Sequence, residues 1–359
     1  MRAPHLSADR AARAAGLLAA GWLLAVLVVD LAVPPSVVPD TLLAMAPLIA
    51  CSVLSPRVTA LFGFAAVILL IWSGWYNDTW GTAQQWIRLL DVILVSGAAV
   101  VVAAVRAHRE QRLMRVTAIA EAAQRAILPT VPASTGDVHA ASRYLSAALD
   151  AVVGGDLYDC SVTQGYTRFI VGDVRGKGLE AVEQAARVIR AFRQAAATKA
   201  TLDETVQDMN SYLTPFLGDE DFVTALLVDL TQPDVIRLTS CGHPPAILVR
   251  PDGTATLLEL APGLPLGLGA ASEEGRFPWS PGDRLLLYTD GLSEARDAHG
   301  EFLPLLQLAP TLATGDLEGA LDALLEKART HVPAGGLADD LAVLLLENTA
   351  VPARAAVMA

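Results

Sequence analysis

The chain has 359 residues, 53% of them hydrophobic and 18% charged, with a mean hydropathy of +0.43 and a formal charge of −12. Such hydropathy excludes an ordinary soluble enzyme unless the apolar residues are segregated, and the length admits two domains. They are segregated: residues 1–128 carry 10 Lys and Arg against 7 Asp and Glu, a net of +3, whereas residues 129–359 carry 16 against 31, a net of −15. The acidic part repels phosphates, so nucleic acid is not an expected partner. Three cysteines, Cys51, Cys160 and Cys241, show neither C-x-x-C spacing nor an even framework and read as reduced structural thiols.

Four apolar stretches, 14–33, 41–56, 58–75 and 88–105, predict an all-α transmembrane domain over residues 1–105. Each approaches the ~20 residues needed to span about 30 Å of hydrocarbon, the second being the shortest. The first is too long for a cleaved signal peptide, and more spans follow it. Arg2, Arg10 and Arg13 precede the first span, Arg57 lies between the second and third, and Arg106, Arg109, Arg112 and Arg115 follow the fourth. The positive-inside rule then puts the N-terminus and the C-terminal half in the cytoplasm, in a multi-pass protein of the inner membrane. Trp75, Tyr76, Trp80 and Trp86 form an interfacial aromatic belt in the outer loop. Asp30 and Asp91 sit near the outer ends of their spans, where water or Arg88 satisfies them; the alternative is a functional intramembrane carboxylate.

Residues 106–128 predict a connecting helix. Leu113, Val116, Ala120, Ala123 and Ile127 are spaced 3, 4, 3, 4 as in a heptad seam, and Pro129 ends it. Two readings stay open: a signalling helix that makes a homodimer, and a helix docked on its own domain.

Residues 129–359 form the cytosolic domain. Strand-length apolar runs occur at 167–174, 222–230, 235–241, 246–250, 284–290 and 341–347. Helical patterns fill 178–199, about 201–217, opened by the capping-box match TLDE, and about 316–331. Strands grouped around helices predict an α+β sandwich rather than an alternating parallel sheet. Carboxylates recur where a strand meets a turn: Asp156 and Asp159 in GGDLYD, Asp173 in GDVRGKG, Asp290 in YTDG, and Asp339 with Asp340 before LAVLLL. Strand-end turns are firmly placed and solvent-reachable, and gathered carboxylates select a hard cation. GDVRGKG is not a phosphate loop: Val171 stands where the first glycine is needed and Gly178 where Ser or Thr is needed.

The motifs GGDLYD, GDVRGKG, DFVTALLVDL, CGHPPAIL, LPLGL, GDRLLLYTDGLSEAR and ADDLAVLLL follow one another in that order. Together they resemble the metal-dependent protein phosphatase (PPM, type 2C) family, in its bacterial branch of stage II sporulation E and sigma-factor-regulating phosphatases. The lead-in QRAILPTVPA is also similar, and the likeness covers roughly 122–348. The resemblance implies a PPM-type α/β/β/α sandwich holding two Mn²⁺ or Mg²⁺ ions. It implies Asp156, Asp173, Asp290 and Asp339 as metal-binding catalytic residues, Asp173 bridging, with the Val174 carbonyl contributing and Asp159 and Asp340 as outer ligands. It further implies hydrolysis of phosphoserine or phosphothreonine by an activated water, with no protein nucleophile, on a phosphoprotein partner resembling an anti-anti-sigma factor. Arg175, Cys241 and Ala342 depart from the family pattern, and none removes an implied ligand. His243 is read as a general acid or a structural residue, and Lys177 as a phosphate-steering residue or a cover for the helix start. A catalytically silent PPM-fold binding module and a regulated transporter are the competing functions.

Overall fold

A computed structural model describes residues 3–32, 40–128, 131, 133–146, 154–218, 220–261, 263–269, 273–333, 336–337 and 339–350. Pro129, expected to end the connecting helix, lies outside the described residues. The chain divides into two compact units, Met1–Val116 and Thr117–Ala359.

The first unit contains α1 (Ala3–Ala32), a 3₁₀ turn (Asp40–Ala44), α2 (Met45–Cys51), α3 (Pro56–Tyr76) and the start of α4 (Ala83–Ile127). Among the described residues three helical segments are long and apolar enough to cross a membrane, Arg10–Ala32, Pro56–Tyr76 and Ala83–Gln124. The expected second span is the exception. Its α-helix is only seven residues long, roughly 10 Å at 1.5 Å per residue. Pro56 disfavours helical backbone at Ser55, which is extended and instead caps α3 through Val58 N. Small residues let the helices approach: Ala19, Ala46, Ala50 and Ala66 pack with Leu23, Leu43, Leu70 and Val92. Asp30 is buried and accepts from Asn77 Nδ2 at 3.1 Å, while Asp91 is exposed.

The second unit opens with β1 (Ser134–Thr135), β2 (Val138–Leu145), β3 (Leu157–Val162) and β4 (Thr167–Val174). Helices α5 (Leu179–Thr198) and α6 (Leu202–Leu213) follow, then β5 (Val223–Asp229), β6 (Val235–Cys241), β7 (Ala246–Val249), β8 (Ala255–Leu258), β9 (Glu274–Pro278) and β10 (Arg284–Tyr288). It closes with α7 (Asp290–Ser293), α8 (Ala309–Ala313), α9 (Leu317–His331) and β11 (Leu341–Asn348). The strands make two antiparallel sheets, β1-β2-β11-β10-β7-β8 and β3-β4-β5-β6-β9.

Alternation along each strand builds the layers. On β4, Phe169 and Val171 enter the core between the sheets while Ile170 packs under α5 and α6. On β11, Leu344 and Leu346 enter the inter-sheet core, and Leu341, Val343 and Leu345 pack against α9. Both faces of both sheets are therefore covered, which explains the near-continuous apolar runs and gives an α/β/β/α order. The α6 capping box forms as the sequence predicts, with Thr201 and Glu204 bonding each other's backbone amides.

Candidate metal centre

The register of the sheets sets the site. Leu157 of β3 pairs with Gly172 of β4, so Asp156, one residue before β3, lies beside Asp173 near the end of β4. Asp290 begins α7, two residues beyond the last residue of β10. One carboxylate oxygen from each of Asp156, Asp173 and Asp290 lies within 4.8 Å of the others. Two glycines permit this convergence by close approach. A Cβ on Gly155 would stand 2.2 Å from the Val174 carbonyl oxygen, and one on Gly291 only 1.9 Å from that of Asp340.

Thr289 joins the two sheets at this point. Its backbone amide donates to Ala342 O at 3.1 Å, and its hydroxyl accepts from Ala342 N at 2.9 Å. The same hydroxyl donates to Asp156 Oδ2 at 2.7 Å. The cluster is electrostatically strained. Burial, then the Asp173 charge, hold the Asp156 carboxyl well above its usual range. Burial, then Asp290, push Asp173 up to about 7, and burial followed by Asp339 raises Asp290. Among the described residues none of these three aspartates has an ion-pair partner. Clustered oxygen donors with like charge and no bonded cation fit a hard divalent cation. A cavity of about 370 Å³ lies alongside, lined by Asp290, Gly291, Glu294, Arg296 and Asp339.

The remaining candidates stand around this trio. Asp339 is half-exposed and its Oδ1 lies 3.0 Å from Lys177 Nζ, a bond that raises the lysine's pKa. Asp340 is buried and already bonded: Oδ2 accepts from Gly154 N at 2.6 Å and from the Tyr144 hydroxyl, and Oδ1 from Ser146 at 3.1 Å. Asp159 is buried outside the trio, where Arg193 Nε donates to it at 2.6 Å and the Cys160 amide at 2.8 Å. The Val174 carbonyl packs against Gly155 at the edge of the cluster. Arg175 turns towards Glu220 and the Phe222 ring.

His243 is buried with both ring nitrogens engaged, Nδ1 by Thr224 Oγ1 at 3.0 Å and Nε2 by the Tyr288 carbonyl at 3.1 Å. Burial lowers its pKa to about 4, so it is neutral and holds the end of β10 in place. Burial raises the Cys160 thiol to about 11 and the Cys241 thiol to about 12, which removes both as thiolate nucleophiles at neutral pH. Sequence reasoning missed Gln124, Tyr144, Thr289 and Arg193. Only Thr289 carried a local signal, a hydroxyl residue directly before the Asp-Gly turn.

The sequence profile of the family described as Stage II sporulation protein E (SpoIIE) matches residues 163–349, which contain Asp173, Asp290, Asp339 and Asp340 but not Asp156. Among solved structures, the RsbU and RsbW domains of a Mycobacterium tuberculosis protein are 27% identical with a TM-score of 0.51, over 59% of this chain and 62% of that one. The PP2C domain of SiaA from Pseudomonas aeruginosa is 20% identical with a TM-score of 0.54, over 68% and 99%. The PP2C phosphatase domain of Bacillus subtilis SpoIIE, with a fragment of its regulatory domain, is 18% identical with a TM-score of 0.50, over 59% and 64%. This chain therefore spans less than two thirds of the M. tuberculosis and B. subtilis chains it matches. The latter two likenesses establish a shared fold, the PPM-type sandwich with two antiparallel sheets. Because the profile match takes in more than half of the residues, the chain belongs to the SpoIIE family.

Proposed function

We propose that the chain is a membrane-anchored, metal-dependent protein phosphatase that hydrolyses phosphoserine or phosphothreonine on a regulator resembling an anti-anti-sigma factor. One observation carries this reading: Asp156, Asp173 and Asp290 from three separate segments converge within 4.8 Å, and none has a bonded cation among the described residues. Asp156, Asp173 and Asp290 would hold two Mn²⁺ or Mg²⁺ ions together with Asp339 and the Val174 carbonyl. Bound there, the ions would supply Lewis-acid stabilisation of phosphoryl charge and an acidified water. The chain's own residues do the rest. Thr289 orients Asp156, Asp340 fastens the Gly154 turn, and Lys177 puts a positive charge beside Asp339. The protonated thiols of Cys160 and Cys241 fit a reaction without a protein nucleophile. The arginines after the last spanning helix favour a cytoplasmic catalytic unit.

One experiment tests these elements together. The full chain in inside-out vesicles should release phosphate from a phosphoserine peptide only when Mn²⁺ or Mg²⁺ is present. Sealed right-side-out vesicles should be silent, and Asp173→Asn should reduce hydrolysis to background. Metal-independent hydrolysis would sink the mechanism, and no hydrolysis at all would favour the binding module. Activity in the sealed right-side-out vesicles would reverse the orientation.

A further inference from the structure

The turn carrying Asp156 is held from a distant part of the sequence. Gln124, on the last turn of α4, is 4% exposed. Its Nε2 lies 2.7 Å from the Tyr144 hydroxyl, 3.2 Å from Gly154 O and 3.4 Å from Asp156 O. The Tyr144 hydroxyl in turn donates to Asp340 Oδ2, which also accepts from Gly154 N at 2.6 Å. Gln124, Tyr144, Asp340 and Gly154 thus close a hydrogen-bonded ring through the amide and the carbonyl of one residue, Gly154. Val174 N completes the turn by donating to Gly155 O at 3.2 Å.

The amide is placed by its apolar neighbours. Ala120, one turn earlier, is buried against Val182 of α5, and Ile127 packs into the same contact. Residues 120, 124 and 127 therefore face the domain on one side of the helix. An apolar side chain at 124 would leave the buried Gly154 carbonyl without this donor, where burial makes an unmet acceptor unfavourable. The 154–156 turn has no slack to absorb such a loss, because Gly155 already touches the Val174 backbone.

We propose that Gln124 is a positioning residue for the metal centre: its amide holds the 154–156 turn, and through Tyr144 the Asp340 carboxylate, at the spacing that brings Asp156 into the cluster. The inference rests on the metal-centre reading above. Groups that orient metal ligands change affinity about 10- to 100-fold when removed, and that loss is expected here.

The test measures Mn²⁺ binding to the full chain in nanodiscs from the electron paramagnetic resonance signal of free Mn²⁺. Gln124→Met, which keeps length and burial, should bind Mn²⁺ about tenfold or more weakly. Tyr144→Phe should weaken it too, and the double variant should lose less than the two single losses combined, because both cut the same ring. Leu346→Ala, a core truncation between the sheets, supplies a destabilised control that should melt earlier yet bind Mn²⁺ as the wild type does. Wild-type affinity in Gln124→Met overturns the proposal while leaving the metal centre intact. An equal loss in Leu346→Ala overturns it as well, because Gln124 would then act only through general stability. Wild-type binding no better than that of Asp173→Asn removes the metal-centre reading, and the proposal with it.

Discussion

Strand β4 treats charge in opposite ways at its two ends. Near its start, Arg168 is fully buried, and its Nε donates to Asp229 Oδ2 of β5 at 2.8 Å. The rest of that guanidinium donates to the carbonyls of Ala196, Lys199 and Ala200 at 2.7–3.1 Å, closing the turn between α5 and α6. Near its end, Asp173 lies opposite Thr224 and faces two more carboxylates with no cation bonded to it. A buried charge is tolerated either because its partners are built in or because they arrive as a ligand. The first end is finished architecture. The second is left electrostatically incomplete, as a binding site must be.

Three measurements can break that contrast, and the largest effect is expected at the compensated end. Arg168→Ala strands Asp229 and three carbonyls, so urea denaturation should show a loss of about 3–5 kcal/mol; a loss below about 1 kcal/mol would mean that this end is not compensated by Arg168 at all. Next comes pH. Unfolded, Asp173 titrates near the ordinary carboxylate value of about 4, and folded without metal it titrates at about 7. The folded state binds this proton more tightly, so its contribution is present below about pH 4 and is lost as pH rises through about 7. In EDTA the melting temperature of wild type relative to Asp173→Asn should therefore fall across that window, and saturating Mn²⁺ should abolish the fall. A relative stability that rises with pH would contradict the strained cluster. The smallest effect belongs to Lys177→Ala. Its pair with Asp339 is half-exposed and worth under about 0.5 kcal/mol, a shift of roughly 1–2 °C. A larger shift would make Asp339 part of the compensated architecture instead.

Much of the sandwich could be read from the sequence because its strands are buried on both faces. The run at 235–241 matches β6 residue for residue, and 167–174 matches β4. Strands β2 and β9 escaped because VHAASRYL and EGRFP mix polar and apolar residues without a clean period. The second apolar stretch misled because composition does not register that its α-helix holds only from Met45 to Cys51, after a 3₁₀ turn at Asp40–Ala44. Carboxylates at strand ends were conspicuous, yet nothing local separates Asp339, which faces Lys177, from its neighbour Asp340, which turns inward to Gly154 and Tyr144. Gln124 and Tyr144 were invisible for a related reason. Neutral polar residues acquire a role only through contacts spanning 20 to 196 residues of chain.

The Thr289 hydroxyl has a further consequence, which concerns hydrogens rather than residues. It accepts a hydrogen bond from the Ala342 N–H and donates its own hydroxyl hydrogen to Asp156 Oδ2. The sequence amide, hydroxyl, carboxylate therefore has a direction, and each bond polarises the next. Two antiparallel sheets have no net sense of their own, but this seam acquires one, running out of β11 and into the cluster. It fixes the plane of the Asp156 carboxyl beside Asp173 and Asp290. A serine at 289 would preserve that polarity and a valine of the same shape would erase it, so handedness of hydrogen bonding, more than volume, is what this position transmits.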